Sequence, residues 1–156
     1  MKRLLPLLGL LLLTSVFALP VKAQNPSTNS ARLRVCQVKA NVLQTRSQHL
    51  SQLVTTMEEK FDSIAARVEA YYTNTVVPSG KTVSNYDALV AEISTKKVAV
   101  QTALSTAQSG VANFSCDSTN PRGQMLTYRT DMQSVKAALK AYRTAIKNLI
   151  VAVHKV

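Results

Sequence analysis

Residues 120–154 have the sequence NPRGQMLTYRTDMQSVKAALKAYRTAIKNLIVAVH and carry the most regular hydrophobic pattern of the chain. Large apolar or aromatic side chains recur there at alternating gaps of three and four residues. They are Met125, Tyr128, Met132, Val135, Leu139, Tyr142, Ile146, Leu149 and Val153. This spacing places them on one helix face, as in helices that pack nearly parallel or antiparallel to their neighbours. The stretch therefore predicts a long helix within an all-α bundle.

Asn120 and Pro121 mark the start of this helix. An Asn side chain can accept a hydrogen bond from a free backbone N–H of the first turn. Pro is favoured at the first helical position, where its missing N–H is not needed. We therefore predict a helix over about residues 121–154.

Another long helix is predicted over about residues 31–74, where Pro and Gly are absent. Its apolar side chains recur mostly every three or four residues, which is the spacing of one helix face. They are Val35, Val38, Val42, Leu50, Leu53, Met57, Phe61, Ile64, Val68 and Tyr71. The pattern weakens between Val42 and Leu50, where Arg46 and His49 come closest to it.

The segment between these two predicts a third helix, over about residues 84–113. Ser84 and Asp87 have the spacing of a capping pair, and Pro78 and Gly80 mark the turn before them. The apolar stripe, interrupted by two lysines, consists of Tyr86, Leu89, Ile93, Val100, Leu104, Ala107, Val111 and Phe114. Short turns between long helices favour an elongated up-down-up bundle.

Cys36 and Cys116 are expected to form a disulfide. In an up-down-up order, the start of the first helix and the end of the second lie at the same end of the bundle, so an intramolecular bridge is favoured. Its loop of about 80 residues would contribute roughly 4 kcal/mol in the chain-entropy model. A pair of free thiols and an intermolecular bridge are the alternatives.

Residues 1–23 have the pattern of a cleaved signal peptide. Two basic residues precede an apolar run over residues 4–19, and Val21 and Ala23 place small side chains where a signal peptidase cuts. An uncleaved anchor is the alternative, although this run is shorter than the roughly 20 residues that span a bilayer. The polar residues 24–30 predict a disordered leader. A secreted or periplasmic protein without a transmembrane segment is therefore expected.

The chain is strongly basic, with 19 Lys and Arg against 8 Asp and Glu and a net charge of +11. Removal of residues 1–23 would leave 16 against 8, a net charge of +8. This excess favours anionic partners such as envelope polymers, nucleic acid or acidic membrane surfaces. The groove with stacking aromatics that is typical of single-strand nucleic-acid binders is not predicted, so no specific nucleic-acid signature is recognised.

The sequence contains no evident catalytic or metal-binding constellation. His49 and His154 have no Cys, Asp, Glu or His at the three- or four-residue spacing of a helical metal site. A thin three-helix bundle also rarely forms the enclosed pocket that an enzyme needs. We therefore expect a protein without enzymatic activity, metal or cofactor.

The helix predicted over residues 121–154 also carries a prominent basic face. It consists of Arg129, Lys136, Lys140, Arg143 and Lys147. One interpretation is a binding surface for an anionic polymer or another envelope component. The other is that these basic side chains form ion pairs within the bundle, each of which would stabilise the fold by roughly 0–1 kcal/mol. The candidate partners are the acidic residues expected at the same level of the first helix, Glu58, Glu59, Asp62 and Glu69.

Three short segments resemble small, uncharacterised secreted helical proteins of candidate-phylum bacteria. They are residues 60–68 (KFDSIAARV), 77–82 (VPSGKT) and 147–150 (KNLI). The resemblance implies an envelope or extracellular setting and brings no activity or site residues with it.

The sequence thus favours a non-enzymatic exported protein that binds an envelope component or anionic polymer through its basic face. A self-assembling or periplasmic chaperone-like helical protein is the alternative. The long apolar seam over residues 125–153 suggests this alternative. The apolar stripes of the other two helices are interrupted, so they have to cover a seam that is more continuous than they are.

Overall fold

The computed structural model describes the backbone of residues 26–156, with side chains from residue 29 onward. Over this range the protein is an all-α bundle of three long helices, so the predicted fold class is confirmed. Helix α1 spans Pro26–Tyr71, α2 spans Tyr86–Ala112 and α3 spans Pro121–His154. The predicted signal peptide lies outside the described residues. Within those residues, no helix combines the length and apolar character that crossing a membrane requires.

Contacts at the two ends of the bundle establish the up-down-up order. Cys36 near the start of α1 is bonded to Cys116 beyond the end of α2, with Cα atoms 5.8 Å apart, which confirms the intramolecular disulfide. At the opposite end, Tyr72 just after α1 stacks on Tyr86 at the start of α2, with ring centroids 3.8 Å apart. α1 and α2 are therefore antiparallel. After the turn over residues 113–120 the chain reverses again, so α1 and α3 run parallel.

The apolar seam of α3 lies at the centre of the bundle, as predicted. Seven of its residues are buried, namely Tyr128, Val135, Leu139, Tyr142, Ile146, Leu149 and Val153. Met125 and Met132 are half-buried and pack against the same core. Burying a side chain of this size contributes about 1.5–3 kcal/mol, so the seam contributes substantially to the bundle's stability. The other two helices cover it from Val135 to Val153, whereas Met125 and Met132 also line an open groove between α1 and α3.

The face with which α1 enters the bundle differs from the predicted stripe. Five residues of that stripe are exposed instead of packed, namely Val35, Val38, Val42, Leu53 and Tyr71. Leu43 and Val54 are buried in their place, and the polar Ser47 lies between them in the same face, only 8% exposed. A shift of one position turns a helix by about 100°, which is why neighbouring residues exchange roles. Because this face contains Ser47, it is less apolar than the predicted stripe, and the sequence pattern therefore favoured the stripe.

The N-terminal end of α1 extends further than predicted. Residues 26–30 belong to this helix, whereas the sequence predicted a disordered leader over residues 24–30 and a helix from about residue 31. The first two residues of the predicted leader lie outside the described range.

The turn between α1 and α2 is tighter than a simple loop. A π-helical segment over Tyr72–Val76 leads into a 3-10 turn over Val77–Ser79. Gly80 then adopts a φ of 79°, a left-handed conformation that favours glycine. The hydroxyl group of the buried Tyr72 accepts a hydrogen bond from the Val83 backbone N–H at 3.2 Å, which ties the turn to the core.

The start of α2 differs from its prediction. Its N-cap is Asn85, and no side chain accepts a hydrogen bond there, so the predicted capping pair of Ser84 and Asp87 is wrong. A backbone bond from the Tyr86 N–H to the Val83 carbonyl oxygen closes this turn instead. The anchoring of Val83 by the preceding turn thus sets where the helix begins.

The start of α3 follows its prediction. Asn120 is the N-cap, Pro121 occupies the first turn, and Asn120 Oδ1 accepts a hydrogen bond from the Gly123 N–H at 2.8 Å. A Cβ atom on Gly123 would lie 2.3 Å from Asn120 Nδ2, so the absence of a side chain at this position makes room for the cap.

Candidate functional site

The basic face of α3 lies on the solvent side of the bundle. All five of its side chains are exposed, namely Arg129, Lys136, Lys140, Arg143 and Lys147. In the part of the chain that the structure describes, none of them forms an ion pair. The face extends about 27 Å along α3 at the helical rise of about 1.5 Å per residue. It therefore presents a row of positive charge that no described acidic side chain neutralises.

Within the acidic cluster of α1, Asp62 turns toward α2 instead of the basic face. Asp62 Oδ2 pairs with Lys97 Nζ of α2 at 2.7 Å, the one ion pair among residues 29–156. Asp62 Oδ1 accepts a hydrogen bond from the Tyr142 hydroxyl group at 2.5 Å. The first and third helices thus lie level as expected, yet the proposed pairing with the basic face does not form in the described structure.

The environment of this cluster shifts the pKa values of two of its carboxyl groups, Asp62 and Glu58, in opposite directions. Burial raises the pKa of Asp62, but the hydrogen bonds from Lys97 and Tyr142 outweigh it, so the net pKa lies below its ordinary value. Burial raises the pKa of Glu58, the Lys97 charge opposes that rise, and Asp62 adds to it. Glu58 Oε1 is buried without a hydrogen-bond partner among the described residues. Asp62 and Lys97 are 42% and 37% exposed, so their pair contributes only about 0–1 kcal/mol.

A groove of about 990 Å³ separates α1 from α3 at the disulfide end, and we call it the α1–α3 groove. Its floor is largely apolar and includes Val35, Leu43, Met125, Leu126 and Met132. Its charged residues are all basic, with Arg32, Lys39 and Arg46 on the α1 rim and Arg122 and Arg129 on the α3 rim. The groove therefore combines an apolar floor with two cationic rims, and it shares Arg129 with the basic face.

Sequence reasoning missed the α1 rim of this groove. Its three basic residues recur every seven positions, which is a readable signal in the sequence. Their relation to α3 depends on how α1 is rotated, and the predicted stripe assigned the wrong rotation to this half of the helix. The α3 rim continues the same spacing, because Arg122 lies seven residues before Arg129.

Between residues 29 and 156 there is no group of three His, Cys, Asp or Glu side chains that could hold a metal ion. His49 and His154 are both exposed. Tyr128 is only 3% exposed, and its hydroxyl group has no hydrogen-bond partner of good geometry in the described chain. Burial raises the pKa of Tyr128, and the nearby Ser47 and Arg46 side chains offset part of that rise.

Comparison with protein-family models, curated proteins and solved structures finds no match to this chain. Its function is therefore inferred from the geometry and charge of the basic face and the α1–α3 groove.

Proposed function

We propose that this protein is a non-enzymatic exported helical protein that binds an envelope component or anionic polymer through the basic face of α3. The observation that carries the proposal is that all five basic side chains are exposed and lack ion pairs among the described residues. Attraction from such a row accumulates along a polyanion, because the opposing charges also repeat.

Two further features support the exported setting. The bond between Cys36 and Cys116 persists in oxidising compartments, such as the periplasm or the extracellular space. The sequence pattern of residues 1–23 is that of a cleaved signal peptide.

A salt titration with dextran sulfate as the probe tests the proposal. Binding is expected at low salt and should weaken steadily as salt rises, since the interaction is electrostatic. The triple variant Lys136→Gln, Lys140→Gln and Arg143→Gln should bind about tenfold or more weakly, because three contacts of the face are removed. Absence of binding at low salt would contradict the proposal.

A matched control variant separates the basic face from net charge alone. Arg34→Gln, Lys81→Gln and Lys155→Gln remove the same charge from exposed positions outside the basic face. This control should bind within about twofold of the wild type, because scattered surface charges contribute little individually. An equal loss in both triple variants would mean that no particular face is used.

Self-assembly or chaperone-like binding of unfolded chains is the second candidate, and the exposed apolar side chains of α1 favour it. Val35, Val38 and Leu53 are 55%, 63% and 55% exposed. The α3 seam adds to it only at Met125 and Met132, which line the α1–α3 groove, because the bundle covers the rest of the seam. Sedimentation that finds only a compact monomer, together with no binding of an unfolded client such as reduced lactalbumin, would remove this candidate.

A further inference from the structure

We propose that the α1–α3 groove is the docking site for an acidic amphipathic helix of a partner protein. The partner helix would lie between α1 and α3 and complete a four-helix bundle at the disulfide end. This inference rests on the proposed function, because it specifies the class of anionic partner. It places the main contacts with that partner in the groove next to the basic face.

All charged residues that line the groove carry positive charge. All five basic side chains of its rims are exposed, and none forms an ion pair among the described residues. No Asp or Glu occurs anywhere in residues 26–57, the part of α1 that includes all of its groove-lining residues. The acidic residues of α1 begin at Glu58. One of them, Asp62, pairs with Lys97 of α2. The groove is therefore complementary to a partner with acidic groups along both of its edges.

The spacing of the rim charges matches a helix. Arg32, Lys39 and Arg46 recur every seven residues on α1, as Arg122 and Arg129 do on α3. Seven residues advance a helix by about 10.5 Å, so Arg32 and Arg46 are about 21 Å apart along the axis. A partner helix with a heptad pattern advances by the same distance per repeat. Its acidic residues beside the apolar seam would meet a cation at each step, as charged flanking residues do in coiled coils.

The apolar floor distinguishes this partner from other anions. Val35 and Leu126 are 55% and 56% exposed, and Leu43 and the two groove methionines lie beneath them. A hydrophilic polyanion would neutralise the rims but leave this floor in contact with water. A single acidic lipid headgroup would reach only part of a rim that extends about 21 Å. An amphipathic helix covers the floor with its apolar stripe and the rims with its acidic edges at once.

A second copy of this chain does not fit the same groove. Its matching surface would be the same basic groove or the basic face, and like charges across an interface cost affinity. On α1, Asp62 is already engaged with Lys97 of α2. The complementary helix is therefore expected on another protein.

A designed peptide provides the probe. It has three heptads with Leu at positions a and d and Glu at e and g, where mutual repulsion of the glutamates disfavours pairing of the peptide with itself. A control peptide keeps the glutamates and replaces the leucines by Ser. Fluorescence anisotropy of the labelled peptides with the purified protein should give about tenfold or more tighter binding of the Leu peptide, because only it covers the floor. Far-UV circular dichroism should show that the peptide gains helix on binding.

Variants of the protein locate the interaction. Lys39→Glu with Arg122→Glu reverses one exposed cation on each rim, and it should weaken binding of the Leu peptide by about tenfold or more. Leu126→Ser alters only the exposed floor and should weaken it as well. The matched control, Lys81→Glu with Lys155→Glu, makes the same charge change at exposed positions outside both the groove and the basic face, and it should retain binding within about threefold.

The outcomes separate this inference from the proposed function. Equal binding of the Leu and Ser peptides, or equal loss in the groove and control variants, would overturn the docking site. So would tight binding of phosphatidylglycerol vesicles that depends on Lys39 and Arg122 and that the Leu peptide does not displace, since the groove would then hold lipid. If the Leu peptide fails to bind but dextran sulfate still binds through the basic face, only the groove inference fails. If neither binds, the proposed function fails with it.

Discussion

Two buried tyrosines of α3 differ in the environment of the hydroxyl group. Tyr142 is fully buried and donates a hydrogen bond to the Asp62 carboxylate. Tyr128 is also buried, yet its hydroxyl group has no partner of good geometry in the described chain. A buried polar group without a partner costs about 1–3 kcal/mol, whereas a hydrogen bond to a charged group stabilises by about 1.5–3 kcal/mol.

We therefore expect opposite effects from the same substitution. Tyr142→Phe should lower the free energy of unfolding by about 1–2 kcal/mol, because the hydrogen bond to Asp62 is lost. Tyr128→Phe should leave it unchanged or raise it by up to about 1 kcal/mol, because no hydrogen bond is lost. Urea unfolding followed by circular dichroism measures both values. A greater loss in Tyr128→Phe than in Tyr142→Phe would contradict this assignment.

The half-buried Glu58 should make stability depend on pH in a recognisable way. Its pKa in the folded protein is raised above the ordinary 4.5, so its ionised form destabilises the fold at neutral pH. Glu58→Gln should therefore raise the free energy of unfolding at pH 7 by up to about 1 kcal/mol. The gain should disappear as the pH falls through the raised pKa and below 4.5, where the carboxyl group is protonated in both states.

Asp62→Asn serves as a control, because it should change the free energy of unfolding in the opposite direction. The pKa of Asp62 in the folded protein lies below its ordinary 3.8, so its ionised form stabilises the fold above that pH. The variant should be less stable than the wild type at pH 7, and the difference should vanish as the pH falls through the lowered pKa. Urea unfolding across this pH range distinguishes the two profiles, and parallel profiles for the two variants would contradict the assignment.

At the scale of single elements, the N-terminus of α3 couples two residues. Gly123→Ala should by itself favour the helix by up to about 1 kcal/mol. The new Cβ would displace the Asn120 side chain from its cap, however, since it would lie 2.3 Å from Nδ2. Loss of an Asn cap costs about 1 kcal/mol, so the net change in the wild type should be small.

A double-mutant cycle exposes this coupling. In an Asn120→Ala background no cap remains to be lost, so Gly123→Ala should stabilise the protein there by up to about 1 kcal/mol more than in the wild type. Thermal or urea unfolding of the four proteins gives the interaction energy. Additive effects would show that Asn120 and Gly123 do not depend on each other.

The helices differ in how well their sequences predict their packing. α3 has an unbroken heptad seam, so its inward face was identified correctly at every position from Met125 to Val153. α1 has two competing faces in its N-terminal half, and the one that packs contains Ser47 while the more apolar one stays exposed. The choice between them depends on contacts with α2 and α3 that a single helix does not reveal.

The same rotation of α1 limits what could be predicted about the candidate site. The basic face was evident because its five residues lie on one helix whose inward face was known. The orientation of Asp62 toward Lys97 and the alignment of the α1 rim with α3 each involve two helices. Both are set by tertiary packing, to which the local spacing of charges contributes no information.

At the scale of the whole molecule, the disulfide is expected to hold α1 in place. It closes a loop of 80 residues, for which the chain-entropy model gives roughly 4 kcal/mol. Cys36→Ser with Cys116→Ser should lower the free energy of unfolding by about that amount, with the loss concentrated in contacts of α1. Thermal unfolding with and without a reducing agent measures the effect, and the double variant serves as a control that no longer responds to the reductant. An unchanged melting temperature in both cases would contradict the expectation.

The arrangement of the helices also orders the events of folding. α2 packs more extensively on α3 than α1 packs on either of them, and the two are joined by a short turn. Contacts between α1 and α3, such as that of Asp62 with Tyr142, join residues 80 positions apart, and long loops close more slowly than short ones. We therefore expect the α2–α3 hairpin to form first and α1 to dock onto it afterwards. Cys36 meets Cys116 only when α1 is docked. The rate at which the two thiols disappear during oxidative refolding should therefore report the rate of this last step of assembly.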